Sequence, residues 1–225
     1  MHLEEALSSK MDIKAFIFDM DGLLFDSERI VQRSWEMAGD ELGIPHMGDV
    51  IYHTLGMNRT GRNEYFRKYI REDFPFEEFG RLTRDNFWKI VDKEGLPLKK
   101  GVKELLAYGK AQGYKMAVAT SSSREYAMGN LIRAGIDPYF DSVICGDMVK
   151  KAKPDPEIYQ KASESLGIPP EYCMAFEDAP GGILSAHQAG MKVIMVPDLV
   201  QPTEEIRELT YRVCDSLADV IGILN

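Results

Sequence analysis

Sulfur and imidazole, the soft metal ligands, are scarce in this chain, which holds three cysteines and four histidines in 225 residues. Cys145, Cys173 and Cys214 stand far apart in apolar surroundings, without C-x-x-C spacing. An odd count so spaced fits reduced core thiols and argues against a disulfide framework or a zinc site. His2, His46, His53 and His187 form no ligand pair at helical or finger spacing and are read as structural or surface residues. Long apolar runs are missing too: none approaches the ~20 residues of a membrane span. Positive charge is in deficit, with 36 acidic against 27 basic residues and a formal net charge of -9. That excludes a non-specific binder of nucleic acid or of anionic membrane, although a local site for a phosphate remains compatible with it. The opening Met1-His-Leu-Glu-Glu-Ala-Leu7 has neither a basic n-region nor an apolar h-region, so a cytoplasmic location is expected. Residues 1–11 read as a loosely held extension, and nothing demands more than a monomer.

What is present is enough apolar material, 44% of residues, for one sizeable core plus a smaller insert. Ile13 to Phe18 is a short, β-branched and aromatic run, too continuously apolar to leave one face in water. From Ser27 to Asp92 the chain turns charged and helical. Four helices are predicted there: Arg29 to Leu42, Gly48 to Leu55, Asn58 to Tyr69 and Phe76 to Val91. Residues 95–101 read as a linker. Helix then alternates with strand: helices at 102–112, 125–134, 156–166, 183–189 and 204–209, with strands at 115–120, 142–145, 173–176, 192–196 and 212–214. The first four of these helices are each followed by glycine. The pattern specifies a parallel sheet covered on both faces, and such sheets bind ligands beyond the carboxyl ends of their strands.

The residues just after each strand are therefore the ones to read. Asp19 and Asp21 leave the first strand two positions apart, which in an extended backbone aims both at one side. Like charges that close need a cation between them, such as Mg2+, or a proton on one of them. Gly22 follows, suited to the turn, and Asp-x-Asp-Gly also fits a plain solvated turn. Thr120-Ser-Ser-Ser-Arg124 follows the second strand and offers donors where a helix dipole favours an anion. Ser122-x-x-Glu125 equally reads as a capping box. After the third strand, Pro154 keeps Lys153 out of helical conformation and gives its ammonium a defined place. Asp155 and Pro156 read as N-cap and first helical residue, and Lys150 and Lys151 as surface residues. Glu177 and Asp178 form a second acidic pair after the fourth strand, for which a divalent cation and Lys153 are the evident compensation.

Four separated stretches then carry a family resemblance: Asp19-Met-Asp-Gly-Leu-Leu-Phe-Asp-Ser-Glu28, Thr120-Ser-Ser-Ser123, Lys153-Pro154 and Phe176-Glu-Asp-Ala-Pro-Gly-Gly-Ile183. In that order they resemble the haloacid dehalogenase-like superfamily, in the group that contains small phosphatases and β-phosphoglucomutase. The resemblance implies an α/β fold, with a Rossmann-like parallel-sheet core over residues 1–26 and 96–225. It further implies an inserted four-helix cap domain over residues 27–95.

The resemblance also implies roles. Asp19 would be the nucleophile that forms an aspartyl-phosphate, and Asp21 the general acid and then base. Mg2+ would sit on the Asp19 carboxylate, the Asp21 carbonyl and Asp178, with Glu177 supporting or ligating. Thr120, the Ser121 amide and Lys153 would hold the phosphoryl oxygens, with Gly22, Ser122 and Arg59 also facing phosphate or substrate. The substrate would be a small phosphate ester. Where the mutases of the group carry a cap histidine ten residues after the second aspartate, this chain has Val31, which cannot transfer a proton and favours hydrolysis over isomerisation.

Overall fold

The computed structural model describes residues 12–54 and 59–224, with residue 59 described by its backbone alone. Its centre is strand β1 (Ala15–Phe18), buried at all four positions. Because alternate side chains point to opposite faces, Phe16 and Phe18 pack into one core layer while Ala15 and Ile17 enter another. The remaining strands are β2 (Lys115–Ala119), β3 (Ser142–Ile144), β4 (Cys173–Glu177), β5 (Lys192–Met195) and β6 (Arg212–Val213). All pair in parallel, in the order β3-β2-β1-β4-β5-β6. Phe18 is level with Val118 on one side and Phe176 on the other. Asp19 and Glu177, one residue further on, therefore leave the sheet side by side.

Between β1 and β2 lie α1 (Glu28–Glu41), α2 (Met47–Thr54), α3 (Arg59–Tyr69) and α4 (Phe76–Glu94). They bury an apolar cluster of their own, in which the Trp35 ring meets Phe66 and Phe79 edge-on. A second cluster, Ile30, Phe87, Ile90 and Val91, takes Tyr126 against it and joins these helices to the sheet unit. The two connecting segments run beside each other: Phe25 bridges Leu98 antiparallel, and the amides of Asp26 and Lys99 donate to Pro97 and Leu24. One sheet face is covered by α5 (Val102–Ala111), α6 (Arg124–Arg133) and α10 (Val220–Leu224), the other by α7 (Glu157–Leu166), α8 (Pro180–Gln188) and α9 (Glu204–Leu209). Cys145, Cys173 and Cys214 are free and buried. No helix among the described residues is long and apolar enough to cross a membrane.

Several boundaries differ from the sequence reading. Helix α8 starts at Pro180 rather than Ile183, because proline lacks the N–H that a first helical residue leaves unused. Helix α7 starts at Glu157, one residue late, with Asp155 Oδ1 accepting from the Glu157 amide. The cap of α6 is Ser123, whose hydroxyl accepts from the Tyr126 amide, and not Ser122. Helix α4 runs on to Glu94, and α10 had no counterpart in the sequence reading. The predicted extension at residues 1–11, and the predicted end of the second helix at Leu55, lie outside the described residues.

Candidate active site

Asp19 stands at the carboxyl end of β1, only 8% exposed, its amide donating to the Phe176 carbonyl. Lys153, reaching over from the entrance to α7, donates to Asp19 Oδ1 at 2.7 Å, to Glu177 Oε1 at 2.6 Å and to the Ala119 carbonyl at 3.0 Å. An ammonium has three protons, and each is placed. Burial opposes the charge on Lys153, but Asp19 and Glu177 outweigh it and hold the pKa above the ordinary lysine value. Tyr159 on α7 also donates to Glu177 Oε1. Burial, followed by the Asp19 charge, pushes the Glu177 carboxyl up to about 7 against the pull of Lys153. Gly182 leaves room for that carboxylate: a Cβ there would stand 2.0 Å from Glu177 Cδ.

Asp21 has a different surrounding. Its carboxylate is held by three hydroxyls: Oδ1 accepts from Ser27 and Tyr126, both at 2.9 Å, and Oδ2 from Ser122 at 2.7 Å. Ser122 thus spends its hydroxyl on Asp21, which is why Ser123 takes over the helix cap. Burial raises the Asp21 pKa above the usual carboxylate range; the Ser122 bond opposes this and the Asp19 charge adds to it. One carboxylate is paired to an ammonium and its near neighbour is held by neutral donors, the division of environment that separates a base from an acid.

Asp19, Glu177 and Asp178 each offer an oxygen, and these lie within 4.8 Å of one another. Lys153 bonds to two of the three. Asp178 is held well above the usual range by burial and then by the charges of Asp19 and Glu177. Its carboxylate reaches Gly22, whose φ of 81° and missing side chain make the space: a Cβ there would be 2.3 Å from Asp178 Oδ2. Oxygen donors with unbalanced negative charge suit a hard divalent cation, so the residues present fit Mg2+.

Thr120 is buried at the end of β2, its Oγ1 accepting from the Ser122 amide at 3.2 Å, while Ser121 between them is exposed. Arg59 begins α3, and its side chain lies outside the described residues. A cleft of about 800 Å³ opens between the four inserted helices and the strand ends, lined among others by Asp21, Glu28, Val31, Trp35, Arg62, Trp88 and Ser122. Burial, then Asp21, Asp198 and Asp19, lifts the Glu28 carboxyl to about 7. The sequence reading did not single out Ser27, Glu28, Tyr126, Tyr159 or Asp198 as site residues. Ser27 and Glu28 close the first motif and were within reach; Tyr126 and Tyr159 sit mid-helix, where an aromatic reads as core.

Known proteins show the same arrangement of chain. The family model described as haloacid dehalogenase-like hydrolase matches residues 16–196. The YhcW protein of Bacillus subtilis is 34% identical over 212 residues, covering 92% of this chain and 94% of that one. A protein of Thermotoga maritima named phosphorylated carbohydrates phosphatase is 32% identical, over 81% of this chain and 84% of its own. Among solved structures, CbbY of Rhodobacter sphaeroides in complex with phosphate superposes with a TM-score of 0.78 at 28% identity, covering 92% of this chain and 96% of CbbY.

Proposed function

The chain belongs to the haloacid dehalogenase-like hydrolases, and from that premise we propose that it is a Mg2+-dependent phosphatase. Its substrate is a small phosphorylated metabolite of the sugar-phosphate kind, and the reaction runs through an aspartyl-phosphate. The observation that carries this reading is the pair Asp19 and Asp21: one carboxylate held by Lys153, the other held by three hydroxyls with its pKa raised.

In the first step the Asp19 carboxylate attacks phosphorus, and Asp21 gives its proton to the departing oxygen. In the second, water attacks the aspartyl-phosphate while Asp21, now ionised, takes a proton from that water; phosphate leaves and Asp19 is restored. Thr120 and the Ser121 amide bind phosphoryl oxygens, and Lys153, its three protons held by Asp19, Glu177 and the Ala119 carbonyl, offsets their charge, with Ser122 and Gly22 lining the same pocket. The Asp19 and Asp178 carboxylates and the Asp21 carbonyl, with Glu177 beside them, would hold Mg2+, which when bound would further neutralise charge on phosphorus-bound oxygen. Residues 27–95 act as a cap that excludes water and selects the ester, with Arg59 assigned to substrate binding.

Val31 lines the cleft with a side chain that cannot hydrogen-bond or carry a proton, which favours hydrolysis over phosphoryl return to the sugar. The relatives named for phosphatase activity and the phosphate held by CbbY support the same choice. The test is free-phosphate release from a panel of small phosphate esters, with Mg2+ and then with EDTA. Metal-dependent release confined to one chemical group of esters is expected. Isomer formation from a sugar monophosphate plus its bisphosphate, without net phosphate, would establish a mutase instead.

A further inference from the structure

Asp198 lies two residues beyond Val196, whose amide donates to the Glu177 carbonyl, so it emerges beside the acidic pair of β4. Its side chain is 5% exposed, and Oδ1 accepts from Lys99 Nζ at 2.6 Å. Oδ2 is buried and has no hydrogen-bond partner among the described residues. Lys99 is itself fixed, since its amide donates to the Leu24 carbonyl where the chain returns from the four helices. The unpartnered oxygen points inward: it lies 3.3 Å from where a Cβ on Gly22 would be, and Asp178 Oδ2 lies 2.3 Å from that same point. Two carboxylate oxygens thus converge on the bare Cα of Gly22. Neither Lys153 nor the three hydroxyls around Asp21 bonds to Asp198.

A buried acceptor without a donor is costly, and such groups in native structures have a use. Asp198 is outside the set of carboxylates whose oxygens gather within 4.8 Å, so contact between it and a cation held there would have to run through a water. Mg2+ keeps several waters when protein-bound, and their protons need acceptors. We infer that Asp198, oriented by Lys99, is a positioning residue for the divalent site, its Oδ2 accepting a hydrogen bond from a water on the cation. This rests on the metal site proposed above, and it assigns a function to an ion pair that the phosphoryl-transfer steps do not use.

Titration calorimetry with Mg2+, and with Mn2+ as a probe, on the full chain tests it without any turnover. Asp198→Asn is expected to weaken binding roughly tenfold, as removal of an outer partner does, with the melting temperature of the metal-free protein little changed. Lys99→Met separates positioning from bare charge. Loss of a cation would tighten Mg2+ binding if only net charge mattered, whereas loss of the tether weakens it. Unchanged affinity in Asp198→Asn, or tighter binding in Lys99→Met, would overturn the assignment. If the unsubstituted protein binds neither ion, the metal site itself is wrong; if it binds and Asp178→Asn does not, that site stands whatever Asp198 does.

Discussion

The Tyr126 hydroxyl donates to Asp21 Oδ1 at 2.9 Å across a sequence separation of 105 residues. Burial and the adjoining Asp21 charge keep that phenol protonated, so it serves as a constant donor. Its ring meanwhile packs on Phe87 and Trp88 of α4. Helix α6 thereby touches the proposed acid with one end of a side chain and the inserted helices with the other.

Tyr126→Phe keeps the ring contacts and removes the donor. A hydrogen bond to an ionised group is worth about 1.5–3 kcal/mol, so kcat/KM should fall roughly tenfold to a hundredfold. The bond favours ionised Asp21, so its loss raises the pKa further. The alkaline limb of the kcat/KM profile, where the proton needed for the first step is lost, should move to higher pH. A limb that stays in place would remove Asp21 from that role.

Asp19→Asn should lower turnover by roughly 10⁴-fold or more, the scale on which nucleophile removal acts. Lys153 would keep Glu177 as its counter-charge, so circular dichroism should report an intact fold. Substantial residual phosphate release would rule out Asp19 as nucleophile.

Gly182→Ala places a methyl group 2.0 Å from Glu177 Cδ, whereas at Gly181 an added Cβ meets nothing within 4 Å. Overpacking of a buried site costs about 1–3 kcal/mol. The first variant should melt several degrees lower and lose activity as Glu177 is pushed off Lys153 and Tyr159. Gly181→Ala should melt within a degree or two of the parent, and differential scanning calorimetry compares them directly.

Glu28→Gln should stabilise the metal-free protein at pH 8 and leave it unchanged at pH 4. The native carboxyl titrates at about 7, against 4.5 for the free side chain. Between those values the native state keeps a proton that the unfolded chain has released, so stability falls as pH rises and levels off above about 7. Discounted for partial exposure, the gain at pH 8 is roughly 1–2 kcal/mol. Equal melting temperatures of the two proteins at pH 8 would show that Glu28 carries no such penalty.

The parallel sheet was legible because its signals are local. The all-buried β1 wrote its two covered faces as an unbroken apolar run, and the strand ends could be picked out as carboxylate pairs, a hydroxyl run and Lys153-Pro154. Helix starts were less secure, since neighbouring residues compete for the same role: Ser122 and Ser123 are both able to cap α6, and Pro180 outranks the apolar Ile183 at the start of α8.

From sequence alone came the order of strands and helices as far as β6 and the identity of the residues standing after β1, β2, β3 and β4, because period, turn chemistry and strand length depend on near neighbours. Tertiary structure decided what those residues touch. Ser122 went to Asp21, Tyr126 crossed from α6 to the same carboxylate, and Lys99 took Asp198, separated from it by 99 residues. Each of these contacts exists because helices dock on a sheet at one register and angle, and docking is a sum of burial over the whole interface. No single stretch of the chain encodes that sum.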